Sequence, residues 1–527
     1  MSEPNDAADL DPISIEILWT RLISVVDEAA LTLHRTSFST VVRESHDYTC
    51  MLLDAEGRAV AQATRSVPSF IGTLPYSVRA FLAKFPAKTL CPGDVIISND
   101  PWLGTGHLPD LTAAMPIFRD DRLEGFAGVI AHMPDIGGRR RAPDNKDIFE
   151  EGLQIPILKL YEAGKLNETL MEMIRQNVRV PEEVSGDMHA MTGACQKISD
   201  GLVTLLGEYG QRGLSGVASA IIDRSTDAMR RAISDIPEGV YRTVTPIDSF
   251  DTRNPLEIHC EMTIREGRIV VDFAGSSPQN ASSLNAVLGY TSAYSIYALK
   301  CVLLPEVPNN EGNTTAFQIT APAGCFLNPL YPAAVEARAT VGHYATSAIL
   351  NTLALALPDR VPAESGIPLH GFAIRGRRHG RPCAGIFFLS GGQGARPDAD
   401  GLPTLSFPTN VSNTPVEVLE RTFPIRFHEK SLLAGSGGKG RFKGGLGQRV
   451  SIEILGEEPV NLVLLSQRLR FPAVGRRGGQ NGRTERVLLN GEAVEGGETF
   501  NLAGGNVFTV ELPGGGGFGE KAIDATE

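Results

Sequence analysis

Between Ser98 and Gly138 the chain concentrates side chains that bind cations. The run S-N-D-P-W-L-G-T-G-H-L-P-D sets His107 and Asp110 three residues apart, and A-H-M-P-D-I-G-G follows with His132 and Asp135. Upstream, S-H-D-Y-T-C adds His46 and Asp47. Imidazole and carboxylate are the donors that a borderline or hard divalent metal takes. The prolines and glycines around His107 predict a rigid irregular loop rather than a helix. The apolar run A-G-V-I-A before His132 predicts a buried strand with His132 at its end, where sites are often built. Each residue alone has a plainer reading, because single Asp and His residues in loops commonly form turns or serve the core as hydrogen-bond partners. The residues by themselves leave both readings open.

Other stretches offer less. In P-V-E-V-L-E, Glu417 and Glu420 share a face if the segment is helical. A carboxylate beside a metal would serve as general base, which makes Glu417 the candidate. Arg396 and Asp398 in G-A-R-P-D form a candidate substrate-facing pair. G-S-G-G-K-G at Gly435–Gly440 fits G-x-G-x-x-G in letters only, without the preceding strand and later acidic residue of a dinucleotide site. Its Lys439, Arg441 and Lys443 could hold an anion or simply be solvated charges on a turn. No G-x-S-x-G elbow supports a serine hydrolase. Cys50 reads as a buried packing residue. Glu150 and Glu151 read as a solvated acidic loop within reach of a site. His343 reads as a packed histidine on a helix.

The elements that must position these groups follow from punctuation and periodicity. Asp11 and Pro12 predict an N-cap and first helical residue, and Ile15, Leu18, Leu22, Val25, Val26, Ala29 and Leu33 continue at helical spacing. That stripe would orient the segment carrying His46 and Asp47, while Met1–Leu10 reads as frayed. Tyr48–Leu53 and Ala59–Ala63 flank a D-A-E-G-R turn. Thr73–Phe85 predicts a helix ending before Pro86, and Pro181–Ile236 one or two long helices. Strands are predicted at Ile258–Ile264 and Arg268–Phe273, and helices at Ser292–Leu304 and Arg338–Leu357. From Pro424 onward glycines multiply, and Arg449–Leu455, Val460–Leu465, Glu485–Leu489 and Val507–Leu512 read as strands. The expected fold is α+β: large, mixed and multi-lobed, with helical N-terminal segments and a β-rich, Gly-rich C-terminal region. Its expected divisions are 1–236, a metal-binding region; 237–423, a mixed α/β region; and 424–527, the β-rich region.

Composition excludes several functions. A formal net charge of −12 over 527 residues argues against binding nucleic acid or anionic membranes. No apolar run long enough to span a membrane occurs. The acidic, polar N-terminus is not a signal peptide. Seven scattered cysteines without C-x-x-C pairs fit reduced thiols and a cytoplasmic location.

These motifs, in this order, resemble the hydantoinase B/oxoprolinase family. S-H-D-Y-T-C, G-D-V-I-I-S-N-D-P-W-L-G-T-G-H-L-P-D and H-M-P-D-I-G-G are similar to its N-terminal signatures. Gly391–Gly401, Asn413–Glu420, Ser436–Gly447 and Pro513–Gly519 are similar to its C-terminal ones. The resemblance implies that Asp47, His107, Asp110 and His132 hold a divalent metal, with His46 and Asp135 orienting those ligands. Zinc or manganese suits the mixed N/O set, and iron is compatible. It further implies a hydantoinase A-like partner that binds ATP and phosphorylates a substrate oxygen. The implied activity is ATP-dependent opening of a hydantoin, 5-oxoproline or lactam ring. The implied assembly is a hetero-oligomer, with a homodimer open for the chain alone. Ketone carboxylase subunits share the motifs, so carboxylation is the alternative. A non-catalytic scaffold with a structural metal is the third reading. Two departures stand out: Ala131 precedes the later histidine, and a basic run, Arg139–Arg141, replaces the P-G-S found in many relatives. The run bears on substrate identity, either as a site for an acidic group or as a solvated turn.

Overall fold

The computed structural model describes residues 11–139, 142, 144–250, 254–367, 369–456, 458–494 and 499–520. Met1–Leu10, and Arg140 and Arg141 of the basic run, lie outside the described residues.

Helix α1 (Pro12–Thr36) starts where its cap predicts, with Asp11 accepting from the backbone of Ile13 and Ser14. Its buried stripe, Leu18, Leu22, Val26, Ala29 and Leu33, packs against a later helix. After the short α2 (Thr40–Arg43) come β1 (Tyr48–Asp54), β2 (Ala59–Gln62), helix α3 (Thr73–Lys84), β3 (Val95–Ser98), β4 (Asp110–Arg119), β5 (Arg122–His132), β6 (Leu158–Glu162) and β7 (Lys165–Leu166). These strands form one antiparallel sheet in the order β2-β1-β5-β4-β3-β6-β7. Helices α4 (Glu168–Asn177), α5 (Pro181–Glu208) and α6 (Leu214–Ser234) follow.

β1 is buried along its whole length because both faces are covered. Cys50 and Leu52 join the core shared with α1 and α5. Met51 and Leu53, on the other face, join Leu74, Val78 and Phe81 of α3. This is period-two alternation sandwiched between helices. Each such aliphatic side chain stabilises by about 1.5–3 kcal/mol relative to exposure, so the sheet is a stiff platform.

A second antiparallel set, β8 (Gly239–Ile247), β9 (Leu256–Arg265) and β10 (Arg268–Asp272), takes a parallel fourth strand, β11 (Phe317–Thr320), on β10. Helices α7 (Leu288–Leu303) and α8 (Arg338–Ala356) pack on one another, and α8 lies on β8 and β9. The final part contains β12 (His370–Arg378), β13 (Arg381–Leu389), helix α9 (Val416–Thr422), β14 (Ile425–Leu432), β15 (Gln448–Ile454), β16 (Val460–Leu464), β17 (Arg486–Leu489), β18 (Glu492–Val494), β19 (Thr499–Leu502) and β20 (Val507–Glu511). They make two sheets, β13-β12-β16-β19 and β14-β15-β20-β17-β18, around a core that includes Phe372, Phe387, Phe423 and Phe508. The fold is α+β, with helices concentrated early and strands late, as the sequence predicts.

Beside these sheets lies a bundle of extended glycine-rich segments. Gly392 donates to Pro513, Gly438 to Gly515, Gly515 to Gly445, Gly516 to Glu364 and Gly517 to Gln480, all backbone to backbone at 2.8–3.0 Å. A Cβ on Gly392 would lie 1.8 Å from the Gly445 carbonyl oxygen, and one on Gly444 1.9 Å from that of Gly515. The segments approach this closely only because they carry no side chains. The loop at Gly435–Gly440 belongs to this bundle, and Lys439, Arg441 and Lys443 are exposed at its rim.

Candidate metal centre

Three strand ends meet at one edge of the first sheet. Asp110 opens β4 and His132 closes β5, and they are direct cross-strand partners. That register holds from Asp110 to Ile117, where a bulge shifts it before the β4–β5 turn, and there Asp120 and Asp121 both take positive φ, the form a two-residue hairpin favours. Asp47 precedes β1, and its backbone carbonyl accepts from the His132 N–H at 3.1 Å. His107 enters from the irregular turn before β4. Asn99 ties that turn down, donating to the carbonyls of Leu108 and Leu153 and accepting from Ile155.

The side chains converge. His107 Nε2 and His132 Nδ1 each lie 2.8 Å from Asp110 Oδ1, and His132 Nδ1 is 3.7 Å from Asp47 Oδ2. Ligand atoms of His107, Asp110 and His132 all fall within 4.8 Å of one another. All four residues are buried. Arg338, at the start of α8, completes the cluster: its Nη2 reaches Asp110 Oδ2 and lies 2.8 Å from His107 Nε2. Its guanidinium rests 4.0 Å over the Tyr290 ring. Burial, reinforced by the Arg338 charge, holds His107 well below the ordinary histidine pKa, so it is neutral. Burial opposes ionisation of Asp110, but its His107 and Arg338 neighbours outweigh it and keep the carboxyl well below its usual range.

The donor set fits a divalent cation. His107 Nε2 sits 2.8 Å from both an anionic oxygen and a guanidinium nitrogen. A neutral imidazole nitrogen either donates or accepts, so one of these contacts is mismatched in either tautomer. A cation taking the Nε2 and Asp110 Oδ1 lone pairs would reconcile the first contact and leave Arg338 to Asp110 Oδ2. His107 Nδ1 is also buried without a partner among the described residues. A small cavity opens from the cluster, walled by Tyr290, Tyr294, Leu369, Phe388 and Val411. Val411 also lines a larger cleft of about 930 Å³ beside His34, Tyr48 and Arg65.

The other predicted site residues lie apart from this cluster. His46 stacks on His34 with ring centroids 5.0 Å apart, and its Nε2 lies 3.2 Å from Arg65 Nη1. Asp135 is buried, accepting from Arg179 Nη1 at 2.7 Å and from the Arg179 backbone at 2.6 Å. Glu417 is exposed on α9. Arg396 and Asp398 face each other at 3.6 Å, both exposed. Arg139 pairs with Asp144 at 2.7 Å on the surface.

Sequence reasoning missed Arg338 and Tyr290. Arg338 stands 228 residues from the carboxylate it serves, and no local pattern marks it. It also misplaced Glu151, which is fully buried rather than solvated. Its carboxylate accepts from the backbone of Val335 and Glu336, fixing the turn that delivers Arg338. Leu153, Ile155 and Pro156, which follow Glu151 directly, were the available signal.

Comparison with known proteins places the whole chain. A putative D-/L-hydantoinase subunit of Pseudomonas sp. strain NS671 is 29% identical, covering 86% of this chain and 79% of that one. The beta subunit of a caprolactamase from Pseudomonas jessenii is 29% identical, covering 97% of this chain and 91% of that one. The crystal structure of the ATP-dependent caprolactamase from Pseudomonas jessenii superposes with a TM-score of 0.89 at 27% identity, covering 97% of this chain and 92% of that one. A nucleotide-free acetone carboxylase shares the fold at a TM-score of 0.89 and 18% identity, covering 98% of this chain and 77% of that one. A profile of the Hydantoinase B/oxoprolinase family matches residues 11–521. The chain therefore belongs to the hydantoinase B/oxoprolinase family of enzymes.

Proposed function

We propose that this chain is the metal-holding subunit of an ATP-dependent cyclic amidohydrolase. Asp47, His107, Asp110 and His132 hold one divalent cation, zinc or manganese by donor type, with iron also compatible. ATP is bound by a hydantoinase A-like partner. The observation that carries the reading is the convergence of these buried donors with Arg338 at the wall of a cavity. The hydantoinase and caprolactamase relatives are each named as one subunit of a larger enzyme, which supports the partner.

A cyclic amide is a poor electrophile, and phosphorylation of its oxygen makes the ring carbon attackable. Water then adds, the C–N bond breaks as nitrogen takes a proton, and an acyl phosphate remains; a second water releases carboxylate and phosphate. When bound, the cation supplies Lewis acidity and acidifies water, whose pKa falls from ~15.7 towards ~7. Arg338, pre-oriented by Tyr290 and Glu151, presents a fixed positive charge where negative charge grows on the substrate oxygens. Asp47, at the rim of the donor cluster, is placed to accept a proton from attacking water. Leu369, Phe388 and Val411 keep the cavity apolar, which strengthens these interactions. Glu417 stands on an exposed face, so the base role passes to Asp47. A closed structural site leaves no cavity at its metal, so the adjoining space favours catalysis over a scaffold. Among the described residues no helix is long and apolar enough to cross a membrane.

The test is co-purification with the ATP-binding partner, elemental analysis, and a screen of cyclic amides with ATP and labelled bicarbonate. The expected result is stoichiometric metal and an unlabelled ring-opened amino acid, both lost in the His107→Ala, Asp110→Ala double variant. Label in the product would establish carboxylation instead, and metal-independent turnover would remove the site.

A further inference from the structure

A second small cavity lies behind the first, lined by both polar and apolar groups. Its wall is the next turns of α8, the loop after it, and the segment between β16 and the glycine bundle. His343, on this wall, packs edge-on against Tyr294 of the metal-site cavity, with centroids 5.7 Å apart. The two chambers are thus back to back across one pair of rings.

The charges in this chamber do not balance. Glu364 is buried and both of its oxygens are taken: Oε1 accepts from Asn351 Nδ2 at 2.8 Å, and Oε2 from Arg468 Nη1 at 2.8 Å and the Val474 backbone at 3.2 Å. Arg468 is therefore paired. Arg476 is not: its Nε donates to the Pro362 carbonyl and its Nη2 to Asn351 Oδ1, both at 2.7 Å and both neutral. Its Nη1 has no hydrogen-bond partner among the described residues, and no carboxylate ion-pairs with it there. Burial pulls its pKa below the ordinary arginine value, and the Glu364 charge only partly offsets this. Nearby, the Thr346 hydroxyl lines the same chamber, is 2% exposed as a residue, and carries no hydrogen bond. Helical threonines usually bond back to the preceding turn, as Ser347 does to the His343 carbonyl at 3.3 Å. A strut role for Arg476 explains Nε and Nη2; Nη1 of this half-buried side chain stays open to a ligand, and the buried threonine hydroxyl has no account in a strut at all.

We propose that this chamber is a phosphate-binding site, with Arg476 and the Thr346 hydroxyl as its donors. A small dianion there would satisfy the uncompensated guanidinium and the orphan hydroxyl together. Its use, holding phosphate released next door, rests on the amidohydrolase reading; the binding itself does not.

The test is calorimetric titration of the purified metal-loaded chain with inorganic phosphate, and with acetate as the monoanionic control. One phosphate site is expected. Arg476→Gln weakens it about tenfold or more, and Thr346→Val about threefold, by the size of charged and neutral hydrogen bonds. The His107→Ala, Asp110→Ala variant keeps phosphate affinity, which separates this proposal from the metal assignment. Thr346→Val removes no hydrogen bond within the protein, so it reports even if Arg476→Gln fails to fold. Phosphate binding that is absent, unchanged in Thr346→Val, lost with the metal ligands, or matched by acetate overturns the proposal.

Discussion

The donor cluster and the glycine bundle solve the same problem, holding distant pieces of chain in register, in opposite ways. The cluster uses side chains: Asp110 alone meets two imidazoles and a guanidinium. The bundle uses their absence, and its backbones bond directly where any Cβ would collide. In the first, chemistry is concentrated in a few replaceable groups whose loss leaves the sheet standing. In the second, hardly a position is chemical, yet most are sterically constrained. The bundle also frames the chamber at Arg476, because Gly517 accepts from the Arg476 backbone at 2.9 Å and Gly516 donates to the Glu364 carbonyl.

The comparison breaks most sharply at Asp110. Asp110→Ala removes the shared carboxylate and leaves Arg338 buried beside His107 without the carboxylate it pairs with. Breaking a buried pair from one side costs about 3–5 kcal/mol, so denaturant unfolding should show that loss together with loss of bound metal and of turnover. Adding Arg338→Met in the same chain should restore most of the stability and none of the metal. If the single variant were as stable as the parent, the charge balance drawn for the cluster would be wrong.

At the bundle, Gly444→Ala should cost about 3 kcal/mol or more, because its Cβ meets a backbone carbonyl that cannot rotate away. The expected readout is lowered soluble yield and melting temperature. In whatever folds, metal content should be intact. A chain that tolerates the alanine would show that the segments slide rather than interlock.

Much of this is legible in the sequence, and what is not has a physical reason. Helix α1 is announced by Asp11 and Pro12, and α3, α8, β15, β16, β17 and β20 by apolar periodicity and breakers, because these signals act over a few residues. The donor types at His107, Asp110 and His132 are visible, and so is the irregular turn at His107, but nothing in the punctuation marks Asp110 as the first residue of β4. Its strand, D-L-T-A-A-M-P-I-F-R, carries a proline and little alternation because both faces are buried. The burial of Glu151 has a local signal in the apolar residues after it, but its partners and those of Arg338 are beyond reach, since they lie 184 and 228 residues away. The glycine motifs are visible as motifs, yet nothing local tells a backbone bundle from an anion loop.

A smaller effect is expected at a glycine that borders the donor cluster. Gly106 lies in the turn before His107 with φ of +91°, and a Cβ there would sit 2.9 Å from Arg338 Cδ. Gly106→Ala should cost about 1–3 kcal/mol through the strained backbone. Because it pushes on Arg338 and not on the ligands, kcat should fall while bound metal stays stoichiometric. Loss of metal in this variant would mean that the turn, rather than the strand ends, sets the ligand positions.

The smallest effect should have the opposite sign. Gly193 lies in the middle of α5, exposed, with nothing within 4 Å of where its Cβ would be. It belongs to neither device, so its flexibility serves only the unfolded chain. Gly193→Ala should raise stability by about 0.5–1 kcal/mol, the difference in helix propensity, with activity unchanged. Paired with Gly444→Ala in one melting experiment, it separates a glycine kept for space from one that is not. If both alanines destabilised alike, the exposed face of α5 would have to be packed against something, and the ATP-binding partner proposed here would be the first candidate to cover it.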